Sequence, residues 1–341
     1  MKGLILSGGL GTRLLPFTLA LPKQLIPVAN KPVLWYILDA FKKIGIKEIG
    51  VVVGENKEVI ATKMNEVLHQ DLKLQFIVQE KPLGLAHAVK TAAPFLHNSD
   101  FVMILGDNLF DESLEEALKI FSEEKADALL FLTPVRDPRR YGIAEVKEGQ
   151  IISLEEKPTD PRSNYAVMGI YFFKNSIFEA IERTTASRRG ELEITDAIQE
   201  LINAGRKVVP YIYPGWWMDV GRPEDVLKAN RLLLNLLTPD SSCLVAPTAM
   251  VSGSTLKGPL IIGENCTIVD SVIGPYTSVG NGSSIKGSSV ENSVLFEKVT
   301  IQGFKGTIMD SIIGQDTAIY EDSSGKNIKK FFLGAGSTLT F

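Results

Sequence analysis

The strongest constraint on the fold lies in the last third of the chain, where aliphatic residues recur every five or six positions, often beside a glycine. The series comprises Ile262, Ile268, Ile273, Val279, Ile285 and Val290, with a looser spacing at Val294 and Val299. A hexapeptide period is typical of a left-handed parallel β-helix, in which each coil places aliphatic side chains inside. We therefore predict a left-handed parallel β-helix over residues 244–341.

The first part of the chain has a different pattern, in which short apolar runs alternate with amphipathic segments. Residues 34–44 have apolar positions at helical spacing, whereas 48–53, 72–78 and 101–105 are apolar runs of strand length. This alternation predicts an α/β fold with a doubly wound, mostly parallel, Rossmann-like sheet. In such sheets ligands bind at the carboxyl ends of the strands.

Two domains are expected, because 341 residues exceed the size at which a single core stops growing. From residue 127 to about 215 the pattern is mixed, and a leucine-rich helix over about 223–237 ends at Thr238-Pro239. The composition then shifts toward Gly, Ser, Val and Ile. We place the domains at 1–238 and 244–341.

A glycine-rich run, LSGGLGTRL at residues 6–14, directly follows the first apolar stretch. Three glycines in four positions let main-chain N–H groups close around a phosphate. Arg13 and Lys23 add the positive charge that a triphosphate requires. The run is neither a GxGxxG fingerprint nor a GxxxxGK[ST] loop, and a plain glycine-rich turn is the alternative.

Three polar residues follow predicted strands. Gln79 comes after the strand 72–78, and its amide offers the donor and the acceptor that a thymine or uracil edge requires. Asp107 follows the strand 101–105, a common position for a Mg²⁺ ligand. Asp219 follows a strand at 208–213, so that one sheet could bring the two carboxylates together as a metal pair. A surface glutamine and an Asx turn are the alternatives for Gln79 and Asp107.

The longer string GG-x-GTRL-x-P-x-T-x(3)-PK at residues 8–23 resembles the signature of the sugar-1-phosphate nucleotidyltransferases. Later segments, including W-x-D-x-G at residues 217–221, are similar to the long-form glucose-1-phosphate thymidylyltransferases, which carry a C-terminal β-helix. The resemblance covers nearly the whole chain. Leu83 and His87 stand where short-form members have an Asp and a Gln.

The resemblance implies transfer of a nucleotidyl group from dTTP to glucose-1-phosphate, giving dTDP-glucose and pyrophosphate with the help of Mg²⁺. It implies catalytic roles for Arg13, Lys23 and Lys157, and metal binding by Asp107 and Asp219. The implied substrate-binding residues are Leu6, Gly8, Gly9, Gly11, Thr12, Gln79, Gly84, Asn108, Tyr141, Gly142, Glu156, Val167 and Trp217.

The residue types agree with this chemistry. A sugar phosphate oxygen is already ionised at neutral pH, so it needs alignment and charge neutralisation rather than a general base. All three histidines, His69, His87 and His97, precede the repeats, which argues against a β-helix acyltransferase. A UTP-dependent enzyme acting on glucose-1-phosphate or an amino-sugar phosphate, and a non-catalytic nucleotide-sugar-binding subunit, remain as alternatives.

Composition limits the partners. The net charge of −4 argues against general nucleic-acid binding, and no apolar run is long enough for a membrane span. Cys243 and Cys266 form no CxxC pair, which fits a reducing cytoplasm. We expect a homo-oligomer stabilised by the β-helix. The β-helix itself is expected to lie outside the active site, so that a chain ending near Pro239 keeps measurable nucleotidyl transfer.

Overall fold

The computed structural model describes residues 1–66, 72–96, 98–111, 113–321, 328–329 and 332–340. His69 and His97 therefore lie outside the described residues. Contacts between Cα atoms divide the chain into two compact units. The sheet unit comprises Met1–Gly9 and Leu34–Trp217, and the β-helix unit comprises Leu10–Val33 and Met218–Phe341.

The strands of the first 219 residues are β1 (Lys2–Ser7), β2 (Pro27–Val28), β3 (Lys31–Pro32), β4 (Glu48–Val53), β5 (Lys73–Val78), β6 (Phe101–Leu105), β7 (Asn108–Phe110), β8 (Ala128–Pro134), β9 (Gly142–Lys147), β10 (Gln150–Glu156), β11 (Tyr165–Phe173), β12 (Val208–Ile212) and β13 (Trp217–Asp219). The helices are α1 (Val33–Lys43), α2 (Lys57–Glu66), α3 (Leu85–Thr91), α4 (Ala93–Leu96), α5 (Glu115–Glu123), α6 (Ser176–Arg183), α7 (Ile194–Asn203) and α8 (Pro223–Leu237). These bounds confirm the predicted strands at 48–53 and 101–105 and the predicted helix over 223–237.

The sheet unit is built on a nine-stranded sheet in the order β10-β9-β11-β6-β1-β4-β5, with β8 paired to β11 and β12 to β8. The four strands β6, β1, β4 and β5 are mutually parallel. Antiparallel pairing enters where β11 joins β6, β8 and β9. The predicted Rossmann-like sheet is therefore confirmed for the first half, and the mixed pattern after residue 127 corresponds to the antiparallel strands.

The core of the sheet unit explains why these apolar runs form central strands. Leu4, Phe101, Met103 and Phe173 have no exposed surface and belong to one hydrophobic cluster with residues of α3, α6 and α7. Strands covered on both faces carry near-continuous apolar runs. Each fully buried side chain of this size stabilises the fold by roughly 1.5–3 kcal/mol.

The β-helix unit contains β14 (Cys243–Val245), β15 (Met250–Ser252), β16 (Thr255–Leu256), β17 (Leu260–Ile262), β18 (Thr267–Val269), β19 (Val272–Ile273), β20 (Thr277–Val279), β21 (Ser284–Lys286), β22 (Ser289–Glu291), β23 (Val294–Leu295), β24 (Thr300–Gln302), β25 (Thr307–Met309), β26 (Ile312–Ile313), β27 (Ala318–Tyr320), β28 (Ile328–Lys329), β29 (Phe332–Leu333) and β30 (Thr338–Thr340). They stack in parallel as three sheets, which is the arrangement of a left-handed parallel β-helix.

The predicted aliphatic ladder forms the interior of these coils. Ile268 pairs with Ile285 and Ile273 with Val290, and all of them belong to one fully buried cluster. Positive φ angles recur at the corners, for example at Asn265, Asp270 and Gly282, where small or Asx side chains tolerate the left-handed conformation. The hexapeptide period is therefore confirmed.

The segment Leu10–Val33, here called the arm, belongs to the same compact unit as the β-helix. The ring of Phe17 on the arm lies 5.8 Å from the ring of Phe296, and Asn30 Nδ2 donates to the Val279 carbonyl at 2.7 Å. The arm therefore packs directly on the coils of the β-helix.

A buried asparagine on α8 strengthens this packing. Asn230 is 1% exposed, and its Oδ1 accepts hydrogen bonds from Ala29 N at 2.8 Å and from Ser278 Oγ at 2.6 Å. Its Nδ2 donates to the Tyr276 carbonyl at 2.9 Å. One side chain thus joins the arm, α8 and two β-helix residues.

Among the described residues, no helix is both long enough and apolar enough to cross a bilayer.

Candidate active site

The carboxyl edge of the parallel strands carries the predicted nucleotide-binding residues of the sheet unit. Gly8 follows β1, Gln79 follows β5, and Asp107 follows β6 after Gly106. Main-chain hydrogen bonds extend the sheet at this edge, from Gln79 N to Val53 O at 2.8 Å and from Gly106 N to Leu6 O at 2.9 Å. Parallel strands therefore bring three residues distant in sequence to one edge, as predicted. Leu6, within β1, is buried.

Gln79 lies against the glycine-rich segment. Its side chain is buried, and a Cβ atom on Gly8 would lie 3.1 Å from Gln79 Oε1. The amide nitrogen is 3.2 Å from the Gly84 carbonyl oxygen and 2.9 Å from His87 Nδ1. The structure therefore brings together Gly8, Gln79 and Gly84 from the predicted set. Gly9 is exposed at the end of the segment.

Gly84 has to be a glycine for two reasons. Its φ of +106° is in a region that L side chains rarely adopt, and an added Cβ would lie 2.4 Å from the Leu192 carbonyl oxygen. Helix α3 begins directly after it, at Leu85.

The predicted sugar-binding residues meet around Gly142. Gly142 and Glu156 are register partners in the β9–β10 ladder, and a Cβ on Gly142 would lie 3.2 Å from Glu156 Oε2 and 3.9 Å from a Val167 methyl carbon. Lys157 Nζ lies 3.1 Å from Glu156 Oε1, and Lys157 N donates to the Tyr141 carbonyl at 3.0 Å. A carboxylate and an ammonium group are thus held side by side beside exposed backbone.

Arg189 is a residue that sequence reasoning missed. Its Nη2 is 2.7 Å from Glu193 Oε1 and 3.3 Å from Glu156 Oε1, so it shares a carboxylate with Lys157. Arg189 directly precedes the string GELEITD at residues 190–196, and this position was the one indication in the sequence that it could matter. The acidic residues of that string suggested only helix capping. A second cation therefore stands next to the predicted sugar-phosphate lysine.

The surroundings of Arg189 are rich in carboxylates. Burial, followed by the charges of Glu193 and Glu156, raises the pKa of Asp196 above its usual value, although Arg189 opposes this. Thr195 Oγ1 lies 3.4 Å from Glu156 Oε2. Acceptors of this kind suit the several hydroxyl donors of a sugar.

Three further predicted residues have defined surroundings. The rings of Tyr141 and Trp217 meet edge to face at 5.8 Å, and within the described part of the chain the buried indole Nε1 of Trp217 has no hydrogen-bond partner. Asn108 is 1% exposed, and its Nδ2 donates to the Met168 carbonyl at 2.5 Å. The amide nitrogen of Asn108 is therefore engaged by the main chain of β11.

The β-helix unit carries the other predicted phosphate-binding residues. A Cβ on Gly221 would lie 3.1 Å from Arg13 Nη2 and 3.6 Å from Asp219 Oδ1, so the guanidinium and the carboxylate flank the same buried glycine. Arg13 belongs to a short 3-10 helix, Thr12–Leu14.

Gly11 introduces that turn with a φ of +67°, and its carbonyl accepts a hydrogen bond from Thr18 Oγ1 at 2.9 Å. A Cβ at Gly11 would approach Lys23 Cβ to 3.0 Å. The arm thus folds back so that Lys23 lies next to the turn that leads into Thr12 and Arg13. Its conformation depends on glycine at position 11.

The donor atoms present fit magnesium. Asp107 and Asp219 are both half-buried carboxylates, each considered in its own unit. No group of three or more metal-binding side chains occurs among the described residues. Mg²⁺ does not require one, because it keeps several waters and usually takes one or two carboxylates together with substrate phosphate oxygens.

Comparison with known proteins identifies the family of the chain. Residues 2–235 match the family described as nucleotidyl transferase. A glucose-1-phosphate thymidylyltransferase from Streptomyces griseus is 40% identical over 347 residues, covering 98% of both chains. Two solved structures are also similar. One, from Bacillus anthracis and described as a glucose-1-phosphate thymidylyltransferase with sucrose, has a TM-score of 0.64 at 34% identity and covers 68% of this chain and 94% of its own.

The second solved structure is a UDP-glucose pyrophosphorylase in complex with UDP-glucose. Its TM-score is 0.63 at 26% identity, covering 69% of this chain and 98% of its own. The family match spans more than half of the chain, and the Streptomyces relative spans nearly all of it. The chain belongs to the nucleotidyl transferase family.

Proposed function

We propose that this protein transfers the thymidylyl group of dTTP to glucose-1-phosphate, releasing pyrophosphate and forming dTDP-glucose. The observation that carries the proposal is the position of Gln79, whose amide lies against Gly8 at the edge of the sheet where a phosphate-binding segment begins. An amide that can read a pyrimidine thus lies next to backbone that can hold a triphosphate. The name of the Streptomyces griseus relative supports the choice of substrates.

The reaction follows from the charges available. An ionised oxygen of the sugar phosphate attacks the α-phosphorus of dTTP, a new P–O bond forms, and the bond to the β-phosphate oxygen breaks to release pyrophosphate. Arg13 and Lys23 neutralise charge on the triphosphate and the departing pyrophosphate, while Lys157 binds the sugar phosphate. Glu156 accepts hydrogen bonds from sugar hydroxyls. No side chain has to remove a proton.

We assign Asp107 and Asp219 as magnesium ligands. A bound Mg²⁺ would neutralise phosphate charge and help to align the triphosphate for in-line displacement. Arg13, held beside Asp219 at Gly221, keeps a second positive charge near that carboxylate.

Lys157 and Arg13 should have separable effects. Replacing Lys157 with alanine is expected to raise the KM for the sugar phosphate by about tenfold or more with a smaller change in kcat, because Lys157 acts on a group already charged in the ground state. Arg13→Ala should chiefly lower kcat, because charge develops on the leaving pyrophosphate. Initial rates over a matrix of both substrates measure the difference.

Arg189 offers a comparison for Lys157. Arg189 shares Glu156 with Lys157 but is anchored by Glu193. Arg189→Lys should therefore raise the KM for the sugar phosphate less than Lys157→Ala does. Sugar-phosphate kinetics left unchanged by Lys157→Ala would show the assignment to be wrong.

A second candidate keeps the enzyme class and changes the nucleotide. Uracil presents the same hydrogen-bonding edge as thymine, and one methyl group contributes only about 1–3 kcal/mol to discrimination. The similar UDP-glucose pyrophosphorylase structure favours this candidate. A non-catalytic subunit is disfavoured by the presence of Arg13, Lys23, Asp107 and Asp219. A cytoplasmic location and a homo-oligomeric assembly stay predictions.

The proposal is tested by pyrophosphate release from four nucleoside triphosphates against several sugar-1-phosphates. We expect dTTP with glucose-1-phosphate to give the highest kcat/KM. Higher values with UTP would select the second candidate. Failure of every pair at saturating Mg²⁺ would overturn both.

A further inference from the structure

The amide of Gln79 has a neighbour that the proposed reaction does not use. His87 lies on α3, and its Nδ1 is 2.9 Å from Gln79 Nε2. We propose that His87 is a positioning residue, which fixes the orientation of the Gln79 amide so that Gln79 reads the base as a hydrogen-bond acceptor. The inference rests on the proposed function in that it takes Gln79 as the residue that reads the base.

The amide hydrogens can be accounted for one by one. The Gly84 carbonyl oxygen can only accept, so the amide atom that lies 3.2 Å from it is the nitrogen. The second amide hydrogen then points to His87 Nδ1, which has to be unprotonated to accept it. Both hydrogens are engaged, and only Gln79 Oε1 is left for a ligand.

This orientation is held by two partners rather than one. Turning the amide over would place Oε1 against the Gly84 carbonyl oxygen, and two acceptors repel each other. It would also require a proton on His87 Nδ1. Within the described part of the chain the His87 ring makes no other hydrogen bond, so no second partner competes with Gln79 for Nδ1.

The free oxygen decides which pyrimidines fit. Gln79 Oε1 faces Gly8, with 3.1 Å between this oxygen and the position of a Cβ on Gly8. Thymine and uracil have a hydrogen on N3 that can donate to Oε1, whereas N3 of cytosine is itself an acceptor. His87 therefore acts through Gln79 to favour thymidine and uridine nucleotides over cytidine nucleotides.

The test compares two substitutions of His87 with a control on the same helix. His87→Leu removes the acceptor at similar size, whereas His87→Gln offers an amide oxygen in its place. Lys90→Met is the control, because Lys90 is exposed and pairs with Glu182 rather than with Gln79. Gln79→Met reports the contribution of the reading amide itself. Dissociation constants for dTTP and dCTP are measured by calorimetry, and steady-state kinetics are measured separately.

For His87→Leu we expect about a tenfold weaker affinity for dTTP and a similar loss of the preference for dTTP over dCTP, because one hydrogen bond is lost. The kcat should stay within about twofold of the parental value. His87→Gln should restore most of the preference, and Lys90→Met should leave it unchanged. A residue that merely packs α3 would lower stability without changing the ratio of the two affinities.

The outcomes separate the inference from the proposed function. If Gln79→Met lowers the preference for dTTP but neither His87 variant does, the inference is overturned and base reading by Gln79 stands. If Gln79→Met leaves the preference unchanged, both base reading by Gln79 and the inference fail. Binding is measured without turnover, so a chain that binds dTTP selectively but transfers nothing to sugar phosphates overturns the proposed function alone.

Discussion

Asp107→Asn and Asp219→Asn are each expected to lower kcat by at least about 100-fold while the fold stays intact. Outer-shell partners of a metal already contribute about 10- to 100-fold, and a direct ligand should contribute no less. Both side chains are half-buried, and asparagine has nearly the same shape as aspartate, so the packing is retained. What is lost is the negative charge that attracts Mg²⁺. Initial rates of pyrophosphate release over a range of Mg²⁺ concentrations, with thermal unfolding curves, measure both effects.

Asp100→Asn is a matched control for Asp107→Asn. Asp100 directly precedes β6, so it lies at the opposite end of the strand that leads to Asp107. Its substitution changes the net charge equally and should leave kcat near the parental value. Near-parental turnover of either active-site variant at limiting Mg²⁺ would rule out that aspartate as a ligand.

Local periodicity explains what the sequence could predict. Ile268, Ile285 and Ile301 repeat because each coil must bury an aliphatic side chain, and this requirement appears directly as a spacing in the chain. The strands β4 and β6 are equally visible, since burial on both faces produces an apolar run. Because parallel strands share one edge, the position of Gln79 and Asp107 followed from the strand pattern alone.

Contacts between residues distant in sequence explain what it could not predict. Arg189 acquires its place beside Lys157 only because β10 brings Glu156 to it, and no spacing encodes that approach. The packing of the arm on the β-helix could not be read from the sequence either. The arm joins the β-helix through Phe17 and Asn30, whose partners lie more than two hundred residues away.

The amide of Gln79 shows a third limit. From residue type alone it offers a donor and an acceptor to the base. In the structure the Gly84 carbonyl oxygen and His87 engage the donor side. The side-chain inventory is set by sequence, whereas the part left free for a ligand is set by the folded neighbours.

Removing the β-helix should lower the activity more than we expected from the sequence, which predicted measurable nucleotidyl transfer by a chain ending near Pro239. A chain ending at Pro239 loses the contact between Phe17 and Phe296 and the hydrogen bond from Asn30 to the Val279 carbonyl. It also leaves the buried Asn230 without Ser278 and the Tyr276 carbonyl. Each lost hydrogen bond contributes about 0.5–1.5 kcal/mol, so the arm loses much of its support.

Because the arm carries Arg13 and Lys23, the loss of its support should lower the rate of nucleotidyl transfer. A displacement of about 1 Å in a positioning group can reduce the rate about 100-fold. We therefore expect the shortened chain to keep its sheet, to bind dTTP more weakly because Arg13 and Lys23 contact the triphosphate, and to lose about 100-fold or more in kcat. Circular dichroism, nucleotide calorimetry and pyrophosphate release measure the three quantities on one preparation.

A single substitution separates this effect from the general consequences of truncation. Phe296 is 4% exposed and contacts Phe17, yet it does not belong to the aliphatic cluster inside the coils. Phe296→Ala in the full chain should therefore lower kcat without unfolding the β-helix. Tyr320→Ala is the matched control, since Tyr320 is an aromatic residue on the same β-helix that is 41% exposed. Full activity of both the Phe296 variant and the shortened chain would show that the arm is positioned without the coils.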